Sequence, residues 1–261
     1  MTNEKLGVMQ QRIPAHMISD DATGMLTVKS PLYDEKSDPR LRERERVLCV
    51  VAHPDDETLG MGATIHKHTQ AGDALSIVAF ADGLASRGGV TTANIKLRHG
   101  MFRRACAILG TEDVWQHQYA DNQMDTLAML QVVKHVEVHI ERFKPTMIYT
   151  HWIGDLNVDH VTMHDAVNIA CRPQPGCTVK RVLYFEVPCS TIWGATFQPD
   201  YFVPCEDAID AKLAACQEYN TELREYPHPR SLVAIRNLAL MRGASVGVPY
   251  AEAFKIGRII A

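Results

Sequence analysis

The 261-residue sequence lacks several features that mark particular classes of protein. No apolar stretch approaches the about 18 residues that span a membrane, and residues 1–17 contain no apolar core of signal-peptide length. The net charge of −4 arises from interspersed acidic and basic residues, and nothing in the sequence indicates a basic surface of the kind that binds nucleic acid. We therefore expect a cytoplasmic protein with no membrane span and no nucleic-acid partner.

The sequence also lacks the cysteine pattern of a disulfide framework. Its seven cysteines are odd in number, include no CxxC pair and lie mostly in apolar segments. A disulfide-stapled domain or a thiolate zinc site needs paired or clustered cysteines. We therefore expect reduced thiols that pack in the core.

What the sequence does contain is a regular alternation of strand-like and helix-like segments, in a chain long enough for one large domain. The strand-like runs are 46–52, 74–80, 113–117, 146–151 and 181–186; the helix-like stretches are 57–71, 92–109, 124–143, 159–171 and 207–226. This rhythm predicts a single α/β domain over residues 46–261, a Rossmann-like, mainly parallel sheet flanked by helices. Residues 1–45 are polar and aperiodic, which predicts an N-terminal extension. The tail, residues 227–254, mixes turn signals with apolar residues, and one interpretation is that it covers the site.

Polar residues follow the first apolar run directly, at His53, Asp55, Asp56 and Glu57. A histidine and a carboxylate three residues apart at a strand-to-helix junction can turn toward one point, and this pair suits zinc or a similar divalent ion. The spacing HxxD is a weak signal by itself. The acidic residues are equally consistent with a solvated first helical turn that favours the helix dipole.

A second polar strand end follows the run 146–150. It contains His151, Asp155, Asn157, Asp159, His160 and His164. Because ligands of an open parallel sheet bind beyond the carboxyl ends of its strands, two imidazole-bearing ends predict a shared metal site. His160 and His164 are four residues apart and share a helix face, so spacing alone permits both to bind the metal.

Three segments together resemble the LmbE/PIG-L family of zinc-dependent de-N-acetylases. They are AHPDDE at 52–57, the Asp159–His160 pair about a hundred residues later and YAEAF at 250–254, supported by ADNQMD, HDAVNIACRP and PHPRS. The resemblance implies that His53, Asp56 and His160 bind Zn²⁺, or another divalent metal such as Fe²⁺. It also implies that Asp55 is the general base.

The chemistry of these residues agrees with that resemblance. Three nitrogen and oxygen ligands leave zinc an open position for water, and a neighbouring carboxylate can take the water's proton. Many family members have a histidine three residues before the metal-binding histidine, where this chain has Asn157, whose amide donates hydrogen bonds but is no general acid. Asp55 would then act as base and afterwards as acid, with His151, His164 and His228 as the alternatives for the second role.

Residues that would bind the substrate are expected in the loops after the second and third strands and in the pocket wall. The candidates are Arg87, Arg98, Asp121, Asn122, His164 and His228. Arginine and carboxylate groups make directional hydrogen bonds to sugar hydroxyls or a phosphate. For Arg98, a solvated charge on a helix is an equal alternative. Tyr250 and Glu252 resemble a feature near the family's site, and a packed carboxyl-terminal turn explains them as well.

The leading hypothesis is a zinc-dependent N-deacetylase that removes the acetyl group from an N-acetylated amino sugar, such as an N-acetylglucosamine derivative, free or conjugated. One alternative is an amidase that cuts a non-acetyl amide. Another is a catalytically inactive sugar- or metal-binding protein, suggested by Asn157, although a mere binder would not require Asp55. The sequence leaves open the substrate, the native metal and whether the chain forms a homo-oligomer.

Overall fold

The computed structural model describes residues 18–20, 26–28, 44–84 and 91–261. The chain divides into two units, Met1–Glu43 and Arg44–Ala261. In the first unit, strands β1 (Ile18–Asp20) and β2 (Leu26–Val28) form an antiparallel pair. Most of the predicted extension, residues 1–45, lies outside the described residues.

The second unit alternates strands and helices. The strands are β3 (Arg46–Val51), β4 (Ala74–Ala81), β5 (Val114–Tyr119), β6 (Met147–His151), β7 (Arg181–Phe185), β8 (Tyr201–Pro204) and β9 (Ala251–Ile259). The helices are α1 (Asp56–Gln70), α2 (Thr92–Ile108), α3 (Met129–Phe143), α4 (Val158–Ala170), α5 (Ser190–Trp193), α6 (Ile209–Glu218) and α7 (Leu232–Ala244), with a 3₁₀ turn at Met124–Thr126. Within the described ranges, every helix is too short or too polar to cross a membrane.

One sheet organises this unit, with the strand order β5-β4-β3-β6-β7-β9-β8. Its first five strands are parallel, whereas β9 pairs antiparallel with β7 and β8. Apolar clusters cover the two faces, one against α1, α2, α6 and α7 and the other against α3 and α4. The predicted Rossmann-like, mainly parallel α/β fold is confirmed. The strand order reverses between β3 and β6, which is where ligands of such sheets bind.

Two sequence-based element predictions are wrong in part. The helix predicted over 207–226 ends at Glu218, because the following residues make long-range polar contacts that draw the chain off the helical path. Tyr219 donates to Glu57, and Glu222 pairs with Arg98. The tail does not simply cover the site: α7 packs on the sheet, and β9 lies inside it between β7 and β8.

Helix α1 contains a break that two distant charged residues stabilise. Met61 has non-helical backbone angles, φ −149° and ψ 24°. Lys212 Nζ donates to the Leu59 carbonyl at 2.9 Å, and the Glu252 carboxylate accepts from the backbone N–H groups of residues 63 and 64. Lys212 and Glu252 also form a buried ion pair of 2.6 Å. Glu252 of YAEAF therefore has a packing role in the fold.

Candidate active site

A cleft of about 250 Å³ opens at the carboxyl ends of the parallel strands. It is lined by His53, Asp55, Gly83, Arg98, Asp121, Asn122, Asn157, Cys189, Glu222, Arg224, His228 and Arg230. Seven predicted site residues are among them: His53, Asp55, Arg98, Asp121, Asn122, Asn157 and His228. Two others, Asp56 and His160, lie buried directly behind His53. Arg87 lies outside the described residues.

Three predicted ligand atoms converge behind the cleft. His53 Nδ1 lies 3.2 Å from Asp56 Oδ2, His160 Nε2 lies 3.3 Å from the same oxygen, and the two nitrogens are 3.3 Å apart. Ligands at zinc's usual distances in a tetrahedral arrangement are separated by about 3.3 Å. The triangle therefore has the dimensions of one face of a zinc site.

The two histidines of this triangle are held by carboxylates on their far nitrogens. His53 Nε2 lies 3.0 Å from both Asp121 Oδ1 and Asp159 Oδ2. His160 Nδ1 lies 3.2 Å from Asp155 Oδ1. A carboxylate on the far nitrogen fixes the tautomer and ring orientation of a metal-binding imidazole. His53 Nδ1 and His160 Nε2 are thereby the nitrogens presented to a metal.

The electrostatics of the triangle concentrate negative charge where a cation would sit. Burial raises the pKa of Asp56, but His160 and His151 outweigh it, and the pKa falls well below its usual value. Burial lowers the pKa of His53, yet the surrounding carboxylates, Asp121 first, raise it well above the usual value. In the same way Asp56 and Asp155 raise the pKa of His160 to about 9. A bound cation would take the place of the protons that these carboxylates attract.

The donor set passes a further test of fit to a divalent metal. Asp56 is fully buried, and its Oδ1 has no hydrogen-bond partner among the described residues. A buried carboxylate oxygen without a partner is costly, since burial removes its hydration. Two imidazole nitrogens and a carboxylate are a donor set that suits zinc or Fe²⁺. The residues therefore fit the metal that the resemblance implies.

Asp55 sits in a strained backbone conformation beside this triangle. Its φ is 125°, a region that residues with a side chain rarely adopt. Its N–H donates to Glu57 Oε2 at 3.0 Å, and Tyr219 donates to the other oxygen of Glu57 at 2.5 Å. A strained backbone conformation persists only where surrounding contacts hold it in place, and such conformations are common at functional sites. Asn122 and Cys189, which also line the cleft, share the positive φ.

Two arginines and a second carboxylate surround the Asp55 side chain. Arg98 Nη2 lies 3.1 Å and Arg230 Nη1 3.3 Å from Asp55 Oδ2, and Glu222 pairs with both arginines at 3.1 and 3.5 Å. Burial raises the pKa of Asp55 and outweighs the two arginines, which lower it. Arg98 is 4% exposed, so the solvated helix charge considered from the sequence is wrong.

Asn157 is the N-terminal cap of α4. Its Oδ1 accepts from the Asp159 N–H at 2.9 Å, which leaves its amide nitrogen as the donor group at the cleft. The histidines considered for the leaving amine lie in different places. His228 lines the cleft, whereas His151 is fully buried with Nε2 accepting from Ala52 N–H at 2.9 Å.

The structure does not bring His164 to the cleft. Its Nδ1 donates to the His151 carbonyl at 2.9 Å, and its ring lies 4.4 Å from that of Tyr184. It is also not part of the ligand triangle, although it shares a face of α4 with His160. The spacing correctly predicted its position on the helix, but the orientation of α4 directs its side chain toward β7.

Sequence reasoning missed several residues of the cleft wall. They are Cys189, Glu222, Arg224 and Arg230. Arg230 belongs to the PHPRS segment that supports the family resemblance, but nothing in the sequence indicated its contact with Asp55. No sequence pattern indicated Glu222 as a cleft residue, because its position depends on the turn that ends α6. Cys189 accepts from Arg230 Nε at 3.2 Å, and burial raises the pKa of its thiol.

Comparisons with known proteins agree with this architecture. The family model described as PIG-L, GlcNAc-PI de-N-acetylase, matches residues 48–171. The chain is 27% identical over 185 residues to the uncharacterized deacetylase YaiS of Escherichia coli K12, covering 69% of this chain and 92% of that protein. It is 23% identical over 257 residues to diacetylchitobiose deacetylase of Thermococcus kodakarensis, covering 90% and 91%.

A solved structure extends this likeness to the fold. N,N'-diacetylchitobiose deacetylase from Pyrococcus horikoshii superposes with a TM-score of 0.69 at 19% identity, covering 85% of this chain and 90% of that one. At that identity the match concerns the fold alone. The resemblance identified from AHPDDE is confirmed by the family match, which spans β3 through α4 and so contains the ligand triangle. Residues 48–171 therefore match a PIG-L (LmbE-like) de-N-acetylase domain, in agreement with the deacetylases among the relatives.

Proposed function

We propose that the protein is a metal-dependent hydrolase that removes the acetyl group from an N-acetylated amino sugar or sugar conjugate, releasing acetate and a primary amine. The observation that carries the proposal is the triangle of His53, Asp56 and His160 directly beside Asp55 at the wall of a polar cleft. The relatives named as deacetylases, one of them acting on diacetylchitobiose, support the same reaction and a sugar substrate.

The three ligand residues would hold Zn²⁺, with Fe²⁺ as the alternative. When bound, such an ion polarises the amide carbonyl and lowers the pKa of water toward neutrality. The carboxylates behind His53 and His160 keep those rings oriented with one nitrogen toward the ion. The full burial of Asp56 keeps competing water away from the ligands.

Asp55 would move the protons. Both arginine contacts fall on its Oδ2, which leaves Oδ1 as the oxygen for proton transfer. It accepts a proton from the water that attacks the carbonyl carbon, and it delivers a proton to the amide nitrogen as the C–N bond breaks. One water is consumed, and acetate and the amine leave. A base that is already desolvated needs less reorganisation during the reaction.

The remaining cleft residues would orient the sugar. Asp121 Oδ1 and the Asn122 side chain are 3.3 Å apart on the loop after β5, where they can bind sugar hydroxyls. The Asn157 amide is a hydrogen-bond donor for the substrate, and His228 borders the outer part of the cleft. Arg87 remains a candidate from sequence alone.

The decisive experiment measures metal content together with acetate release from a panel of N-acetylglucosamine derivatives. We expect about one metal ion per chain and acetate release that Asp55→Asn abolishes while the metal is retained. Loss of a positioned general base costs about 10²–10⁴-fold in rate. His53→Ala should lose the metal as well as the activity. Asp165→Asn is the matched control, because Asp165 is an exposed carboxylate on α4.

Each other outcome points elsewhere. Bound metal without acetate from any derivative would favour an amidase for a non-acetyl amide, or a binding protein without turnover. A protein that binds no divalent metal would refute the ligand assignment. Activity of Asp55→Asn equal to that of Asp165→Asn would refute the role of Asp55.

A further inference from the structure

A group of exposed apolar side chains lies in segments that also contribute residues to the cleft lining. We call the six residues Ile153, Leu156, Val158, Ile192, Trp193 and Tyr226 the apolar lip. Trp193 is 59% exposed, Leu156 63% and Tyr226 66%. Exposed apolar side chains that lie close together are typical of a surface that binds a ligand or another protein.

The apolar lip is continuous with the cleft lining. Leu156 and Val158 flank the cleft residue Asn157, and α5, which carries Trp193, begins directly after the cleft residue Cys189. The Trp193 ring lies 5.9 Å from the ring of His228, another cleft residue, in an edge-to-face arrangement. Whatever occupies the lip therefore also lies at the mouth of the cleft.

Hydrogen bonds join the lip rigidly to the predicted metal ligands. Asp155 Oδ2 accepts from the Ser190 and Thr191 hydroxyls at 3.0 and 2.6 Å, which holds α5. Its other oxygen lies 3.2 Å from His160 Nδ1. The Leu156 N–H donates to the Ser190 carbonyl at 3.3 Å, so the two lip segments are also bonded to each other. The lip is thus built at a fixed distance from the reaction centre.

The cleft lining and the lip differ in chemistry. The cleft lining carries charged side chains, including Asp55, Arg98 and Glu222. In two of the three lip segments, 152–158 and 189–195, the only charged residue is Asp155, which is buried, whereas Tyr226 follows Arg224 and Glu225. A molecule that matches both has a polar group in the cleft and an apolar group beside it.

We infer that the substrate is an N-acetylated amino sugar whose aglycone is apolar, an alkyl or aryl group that packs on the lip. The inference rests on the proposed function, and it specifies the group attached to the sugar. The sugar occupies the polar cleft and presents its acetamide to the ligand triangle. The aglycone leaves water by covering Trp193 and its aliphatic neighbours.

The test compares the binding of octyl and methyl glycosides of N-acetylglucosamine by calorimetry, below the micelle concentration of the octyl compound. It uses the metal-loaded Asp55→Asn protein, so that binding is measured without turnover. We expect the octyl glycoside to bind at least about 15-fold more tightly, the factor for burying about two methylenes. Trp193→Ala should reduce this ratio several-fold. Leu130→Ala, at a 68% exposed leucine on α3, is the matched control and should leave the ratio unchanged.

The outcomes separate the inference from the proposed function. Equal affinities for the two glycosides, or no binding of either, would overturn the inference. So would a preference for diacetylchitobiose over the octyl glycoside, which would assign the lip to a second sugar. If Trp193→Ala changes the molecular mass in light scattering but not the ratio, the lip is an interface between copies. Acetate release by the wild type from the methyl glycoside tests the proposed function independently.

Discussion

Replacing Lys212 by methionine should destabilise the fold through the break in α1. Lys212 and Glu252 side chains are only 5% and 3% exposed, and their ion pair measures 2.6 Å. Burial lowers the pKa of Lys212, but Glu252 outweighs it and raises that pKa, so Lys212 is charged at neutral pH. Methionine keeps most of the aliphatic stem while removing the charge and the donor to the Leu59 carbonyl.

The magnitude follows from what the substitution leaves behind. Removing one partner of a buried ion pair strands the other charge and costs about 3–5 kcal/mol. Loss of the bond to the Leu59 carbonyl is part of that cost. Against a total stability of about 5–15 kcal/mol this is a large fraction. Removing both charges, in Lys212→Met with Glu252→Gln, should cost less than Lys212→Met alone, because no buried charge stays unpaired and the glutamine oxygen can still accept from α1.

Urea unfolding followed by circular dichroism measures the effect, analysed as a two-state transition. The matched control is Lys255→Met, because the Lys255–Asp200 pair is 2.5 Å long but about 40% exposed on each side. An exposed pair contributes about 0–1 kcal/mol. A loss for Lys212→Met no greater than for Lys255→Met would refute the reasoning. So would a double variant that is less stable than the single one.

Two further predictions concern other parts of the molecule. Burial, and then the neighbouring His117, lowers the pKa of His139 to about 4, against about 6.5 in an unfolded chain. Because the unfolded chain binds the proton more readily, the free energy of unfolding should fall as the pH drops from about 6.5 to 4. His139→Gln should flatten that part of the profile of unfolding free energy against pH. An unchanged slope would contradict this prediction. At the cleft, Arg230→Met should lower kcat about ten-fold or more, because Asp55 Oδ2 loses a partner. The metal should be retained, and KM should change less than kcat. Arg230→Lys should recover part of the lost activity. Kinetics of Arg230→Met equal to wild type would show that Arg230 does not position Asp55.

The succession of strands and helices along the chain and the location of the candidate site could be predicted because both depend on local patterns. Alternating apolar runs and amphipathic stretches identify β3 through α4, and the carboxyl ends of parallel strands lie at the same edge of the sheet. The polar groups at residues 53–57 and 151–160 follow β3 and β6, the two strands at the switch point. Their meeting was therefore predictable before any coordinates.

The same local patterns failed where long-range contacts override propensity. The sequence 207–226 is amphipathic throughout, yet the helix stops at Glu218 because Tyr219 and Glu222 are bound by Glu57 and Arg98. Strand β9 had no clear pattern, because its pairing with β7 and β8 determines it more than its own residues do.

By itself, then, the sequence determined the fold class, the family resemblance and the candidate cluster of His53, Asp55, Asp56 and His160. Periodicity encodes the fold class, and the two parts of the cluster follow two different predicted strands whose carboxyl ends lie at the same edge of the sheet. Only the tertiary structure decided which imidazole nitrogen faces inward and which charges surround Asp55. Arg230 meets Asp55 across 175 residues of chain. Such a contact depends on how the loops pack at the rim of the sheet, and no local pattern specifies that packing.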